Sequence, residues 1–387
     1  MWSLDPHVSF LNHGSFGACP SSVLEVQAAF RAEMEREPVR FFRRRYPALL
    51  DEARRSLASV LSTDPTRIVF VANASEGVST VLRSWDLSDG DEILTTDHEY
   101  GACLKALRRR ASETGATIRT VHVKLPVSSE EDVLESLSSS VGPRTRYAMV
   151  SHITSPTALV FPIRRVCAAL EARGVRVLVD GAHTLGQVPL DVDAIGASWF
   201  VGNAHKWLCA PKSAGFLVVK DESCVVKPLV WSHEIEDEDW QRSFDWTGTF
   251  DPSSLLSIPA AIQFLQGGDA AEGFARHMAR NHELAVNARE LLLDRLKAER
   301  PAPAQMLGAM AFVPLPPGPG PLSGAFASPP TDLERHLEDH GIQVPLVIWP
   351  GPPHRGVRIS CQAYNTFDEY RTLADVLTSG LEREAVG

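Results

Sequence analysis

Lysine is scarce in this chain: of 38 basic residues only seven are Lys, at positions 105, 124, 206, 212, 220, 227 and 297. Any lysine nucleophile must come from that short list. Cysteine is sparse too, with six residues (19, 103, 167, 209, 224 and 361) and no CxxC or zinc-like spacing. That pattern argues against a disulfide scaffold or a metal site and for reduced thiols in a cytoplasmic protein. A basic surplus is missing: the formal charge of -10 leaves no electrostatic footprint for nucleic acid or an anionic membrane. No apolar run reaches membrane-spanning length. The opening MWSLDPHVSFLNHGSFG has neither a charged n-region nor a long apolar core, so no signal peptide is expected.

What is present is an ordinary globular composition, 44% hydrophobic and 22% charged over 387 residues, enough for two or three domains. The chain is organised around Val175 to Trp207, VRVLVDGAHTLGQVPLDVDAIGASWFVGNAHKW. Val175 to Val179 reads as a buried strand that delivers Asp180 at its end, and Ala197 to Val201 as a second that delivers Asn203, His205 and Lys206. Ligands of parallel α/β sheets sit beyond the carboxyl ends of the strands, so the acid and the lysine can meet over one pocket. Lys206 is then a candidate nucleophile, and Asp180 a partner for a cationic ring. Pyridoxal phosphate chemistry requires this pair: an amine for the aldehyde and a carboxylate that keeps the pyridine nitrogen protonated.

The rest of the chain alternates strand and helix. Apolar strands are expected before Asn73, in Asp91 to Tyr100, in TIRTVHVKL and in RYAMVSHI, with helices in SSEEDVLESLSS and IRRVCAALEARG. Such alternation predicts a doubly wound, mostly parallel α/β domain. Helices are also expected from Ser21 toward Glu37 and from Arg40 to Leu61. We divide the chain into an N-terminal segment (1–20), a large α/β domain (21–254) and a smaller α+β C-terminal domain (255–387). The Pro- and Gly-rich stretch 314–330 is read as a loop of the last of these. Ala74, Ser75 and Glu76 open a helix after a strand, a position whose free N–H groups favour a phosphate.

DGAHTLGQVPLD followed by GNAHKWLCAPKSAGFL resembles the class V aminotransferase family of fold-type I pyridoxal phosphate enzymes, within it the isopenicillin N epimerase-like branch. The resemblance implies Lys206, Asp180 and His183 as the catalytic set, with His183 beside the cofactor's phenolic oxygen. It implies the phosphate near Ala74, Ser75, Glu76, Asn203 and His205, and a stacking ring in DHEY, either His98 or Tyr100. Ser155 stands where desulfurase relatives carry Asn, and it or Thr157 is expected near the phenolic oxygen. Gly248 and Thr249 match a loop that reaches the phosphate of a neighbouring subunit, which implies a homodimer with shared sites. Arg358, in an RIS motif, is expected to hold the substrate α-carboxylate, for which a planar guanidinium fork is suited. Asn12, His13, Gly14 and Phe250, the last standing where many relatives carry Arg, are expected around the substrate.

The amino-acid substrate is expected to lose its Cα proton to Lys206. The segment Ile342 to Val357 holds no cysteine, which disfavours a persulfide mechanism. Elimination at Cβ, releasing a thiol from an S-substituted cysteine, is the leading expectation. Epimerisation is second, and transamination or decarboxylation-linked oxidative deamination third.

Overall fold

Residues 1–232, 240–267, 270–318, 329–348 and 354–386 are described by the structure, a computed structural model. In chain order the first strands are β1 (Ser9–Phe10), β2 (Ile68–Val71), β3 (Glu92–Thr96), β4 (Thr117–Val121), β5 (Thr145–Ser151) and β6 (Arg176–Gly181). They are followed by β7 (Trp199–Asn203), β8 (Gly215–Val219), β9 (Met310–Pro314), β10 (Ile342–Gln343), β11 (Leu346–Ile348) and β12 (Arg355–Ser360).

Seven strands form the central sheet in the order β2-β8-β7-β6-β5-β3-β4. β8 runs antiparallel to both its neighbours, and the other pairings are parallel. The apolar runs that mark these strands in the sequence follow from helices covering both faces. Along β6, Val177 and Val179 enter one apolar cluster with Phe200 and the helix Tyr46–Leu61, while Leu178 enters the opposite one with Val201 and the helix Ala74–Ser84. Each such fully buried side chain contributes roughly 1.5–3 kcal/mol. The expected doubly wound α/β domain is therefore present, with β8 as an antiparallel member not read from the sequence.

The smaller unit has a three-stranded antiparallel sheet in the order β11-β12-β9, packed with the helices Ala270–Leu296, Asp332–Asp339 and Phe367–Val386. Its apolar core includes Leu11. β1 pairs in parallel with β10, Ser9 opposite Ile342, so the start of the chain runs onto the C-terminal unit. The segment that follows residue 254 packs onto the large unit. Leu255, Leu256, Ile258, Ala261, Ile262 and Leu265 all join the large domain's core, because this segment packs against the helices Ser21–Arg36 and Tyr46–Leu61. The helix expected over Arg40 to Leu61 opens with a π-helical turn, Phe41–Arg45, and becomes α-helical at Tyr46. Of the Pro- and Gly-rich stretch, residues 319–328 lie outside the described residues.

Candidate active site

Asp180 leaves the end of β6 and Lys206 follows the end of β7, adjacent parallel strands. The Asp180 carboxylate accepts the Ala182 amide at 2.9 Å on Oδ1 and the Cys103 thiol at 3.4 Å on Oδ2. Burial raises its pKa. Lys206 Nζ lies 3.3 Å from Nε2 of His183. Burial, reinforced by the nearby Arg358 charge, lowers the Lys206 amine to about 8. A far larger share of it is therefore the free amine near neutral pH than for an ordinary lysine, as desolvation of the charged form dictates.

Arg358 arrives from β12 on the smaller unit. Its Nη1 donates to the Ser155 carbonyl at 2.5 Å and to Ser155 Oγ at 3.3 Å, and Nη2 donates to Ser15 Oγ at 2.9 Å. Its Nε is buried without a partner. Burial lowers this guanidinium to about 10, with the nearby Tyr100 phenol acting in the opposite sense. Among the described residues, neither Asp180, Lys206 nor Arg358 has a counter-ion within 4.0 Å. Buried charges left unpaired cost several kcal/mol each. The set is complementary to a ligand that brings a ring cation to Asp180, an aldehyde to Lys206 and a carboxylate to Arg358.

At the head of the helix Ala74–Ser84, Asn203 Oδ1 accepts the Ala74 amide at 2.8 Å and Asn73 Oδ1 accepts the Glu76 amide at 3.0 Å. Ser75 is the first-turn residue those caps leave unengaged. The Glu76 carboxylate turns back to accept the Ala72 amide at 2.7 Å. It is a capping group, as its place in the first turn favours. His205 sets Nδ1 against the Ala214 carbonyl at 3.0 Å, and burial lowers its pKa to about 4, so the ring is neutral.

Other expected contacts are redistributed. His98 is fully buried, with Nδ1 2.6 Å from Thr157 Oγ1 and Nε2 2.7 Å from the Val123 carbonyl. A stacking ring needs an accessible face, and Tyr100, 47% exposed, has one where His98 has none. Thr157 is likewise enclosed, bonded to His98 and Thr154. Ser155 serves Arg358. In the N-terminal segment, Asn12 accepts the Ser15 hydroxyl at 2.5 Å, His13 reaches the Lys206 carbonyl at 3.0 Å, and the Gly14 amide donates to Ser360 Oγ at 3.1 Å. It is Ser15, absent from the sequence reading, that touches Arg358. Gly248, Thr249 and Phe250 lie in the loop after the helix Trp240–Asp245, where Phe250 packs edge-on to Tyr46. Among the described residues no hydrogen bond or ion pair links these three to Lys206, Asp180 or Arg358 of the same chain.

Three further groups were missed by the sequence reading. Cys103 holds Asp180, Trp207 bonds His183, and Glu99, whose carboxyl burial raises to about 7, is fixed by the Thr96 and Ser151 hydroxyls. Their roles depend on partners far along the chain. Only Glu99, an acid inside an otherwise ligand-facing motif, carried a signal.

The sequence matches the family described as aminotransferase class-V over residues 19–314. The chain belongs to the class V aminotransferase family. It is similar to isopenicillin N epimerase of Amycolatopsis lactamdurans, 35% identical over 97% of this chain and 96% of the relative. It is also similar to the putative L-cysteine desulfhydrase 1 of Oryza sativa subsp. japonica, 30% identical over 96% of this chain and 82% of the relative. Among solved structures, a complex of the cystine C-S lyase C-DES with its product cysteine persulfide shares the fold, with a TM-score of 0.80 at 22% identity and coverage of 96% and 97%. As a class V enzyme of fold type I it uses pyridoxal 5'-phosphate. The residues fit that group: a buried, unpaired carboxylate, a desolvated lysine and a helix N-terminus converge on one site. Among the described residues no group of three His, Cys, Asp or Glu side chains is placed to hold a metal. Nor is any helix among them long and apolar enough to cross a membrane.

Proposed function

We propose that the protein breaks the Cβ–S bond of an S-substituted cysteine, releasing a thiol. One observation carries the reading: the buried Asp180 and Arg358 and the half-buried, desolvated Lys206 have no counter-ion among the described residues, and together they suit a cofactor ring and an α-amino acid. Bound there, pyridoxal 5'-phosphate supplies an electron-withdrawing ring that stabilises negative charge at Cα. Asp180 keeps the ring nitrogen protonated. Ser75, the Ala74 turn that Asn203 fixes, and His205 hold the phosphate. Tyr100 covers the ring, and His183 meets the phenolic oxygen. Arg358, released in part from Ser15 and Ser155, grips the α-carboxylate. Lys206 would hold the aldehyde end of the cofactor, and its amine, once displaced by that of the substrate, is the group placed to take the Cα proton.

Elimination needs no more than that one base and a leaving thiolate. The charges acting on Lys206 are those of Arg358 and Asp180, each already held by other groups. A cysteine nucleophile is not supplied, because all six thiols are buried. Cys361, next to β12, lies in the core of the smaller unit with its pKa raised by burial to about 12. Gly248 and Thr249 serve the phosphate of a second copy in this reading, which makes the active unit a homodimer.

Epimerisation is the second reading, and Tyr100 favours it. An exposed phenol near Arg358 is a protic group able to return a proton to Cα from the face away from Lys206. The two readings separate when purified protein is incubated with S-substituted cysteines in deuterated water and the products are analysed by mass spectrometry. Thiol with pyruvate is the expected result. An intact amino acid with deuterium at a scrambled Cα establishes epimerisation instead.

A further inference from the structure

His183 offers its two ring nitrogens to two different partners, and one partner decides which nitrogen carries the proton. Trp207, fully buried, aims Nε1 at Nδ1 of His183 across 3.3 Å. An indole N–H can only donate, so Nδ1 must keep its lone pair. Burial, joined by the nearby charges of Lys206 and Arg358, holds His183 well below its ordinary protonation range. A neutral imidazole has a single N–H, which leaves it for Nε2.

We infer that Trp207 is a positioning residue whose indole N–H locks His183 as the Nε2–H tautomer, so that His183 faces the Lys206 amine as a donor. The opposite tautomer would set two N–H groups against each other across the Trp207 contact and leave both buried and unpaired. The indole itself has little freedom to turn away. Its backbone lies against Gly186, where a Cβ would stand 2.5 Å from the Trp207 carbonyl oxygen, and the His13 ring packs 4.9 Å from it.

Two consequences follow for the chemistry. An Nε2–H donor opposes a protonated Lys206, which would present only donors in return, and therefore favours the free amine across the 3.3 Å contact. Toward an acceptor oxygen on the cofactor, the same Nε2–H can give a hydrogen bond but cannot take a proton, which reserves the base role for Lys206. This second consequence rests on the functional reading above. The tautomer does not, and it can be measured without turnover.

The test is a two-bond 1H–15N spectrum of full-length protein labelled with [15N]histidine, with and without pyridoxal 5'-phosphate. The His183 signals are identified by their loss in His183→Gln. Protonated Nε2 and bare Nδ1 in the wild type are expected, and an Nδ1–H ring overturns the inference without Trp207→Phe having to fold. Trp207→Phe removes the donor and keeps an aromatic ring; there the His183 signals are expected to become a mixture of tautomers. The Lys206 pKa, read in cofactor-free protein from the pH dependence of reductive methylation by formaldehyde and cyanoborohydride, is expected to rise by roughly one unit. The groups bearing on that titration are Arg358, Asp180 and Cys103 besides His183. In a His183→Gln background Trp207→Phe should no longer move it; a shift that persists there means Trp207 acts by packing alone, and the inference fails.

Discussion

Arg358 Nη2 and Ser15 Oγ meet at 2.9 Å although 343 positions separate them in the chain. The contact ties the N-terminal segment to the strand that supplies the guanidinium proposed to bind the substrate carboxylate, and makes Ser15, with Ser155, one of the two residues that aim it.

Replacing Arg358 by Gln should therefore weaken the use of any α-amino acid by about 2–5 kcal/mol in kcat/KM, the usual cost of deleting one partner of a buried charge pair. Ser15→Ala should cost about 1 kcal/mol, mainly in KM. Steady-state kinetics of both variants check this. Equal losses in the two would mean that Ser15 does more than orient Arg358.

Lys206 gives a pH-dependent prediction. With its amine lowered to about 8, the free nucleophile gains population as pH rises and approaches its maximum above that value. The rate at which cofactor-free protein takes up pyridoxal 5'-phosphate should follow the same curve, levelling near pH 9 rather than climbing through the ordinary lysine range near 10.4. Lys206→Ala should lower turnover by at least about 10³-fold, as expected for losing a positioned base. Borohydride should no longer fix the cofactor to the chain.

Asp180 gains a proton more readily than a surface carboxylate, because burial raises its pKa. Cofactor affinity should then fall as the pH drops through that raised value, since a neutral carboxyl cannot balance a ring cation. Asp180→Asn should remove most of this dependence while binding weakly throughout. Equilibrium titration of the cofactor at several pH values measures both. Cys103→Ala should weaken binding modestly, through loss of the thiol donor that steadies the carboxylate.

Gly17 has φ +70, and a Cβ there would stand 2.3 Å from the His205 carbonyl oxygen. Gly17→Ala meets both left-handed strain and backbone overlap, and should destabilise the protein by about 1–3 kcal/mol. A lowered Tm together with slower cofactor loading is the expected signature, because the residue lies against the loop that carries Lys206.

How far this site was legible in the sequence depended on the kind of signal each residue carried. Asp180 and Lys206 were readable because an apolar run ending in a polar cluster announces a strand end, and adjacent strand ends share a pocket. β8 was not, since five apolar residues after a loop carry no mark of direction. Ser15, Cys103 and Trp207 act through partners on other elements, and their identities alone favour a turn, a core thiol and packing. Trp207 does pack, but its N–H has a task that only the fold reveals. Glu76 and Thr157 show the converse: polar side chains near a ligand-binding edge whose hydrogen bonds, to the Ala72 amide and to His98 and Thr154, no spacing in the sequence announces.

The pairing of β1 with β10 has a consequence for biosynthesis. The first strand leaves the ribosome almost at once, yet its partner is made only after residue 341. Later still comes Arg358, in β12, so Ser15 waits for its partner long after Asp180 and Lys206 have been made. A nascent chain halted before β12 would carry Asp180 and Lys206 but not Arg358, and on the proposed reading it would have no grip on an amino acid.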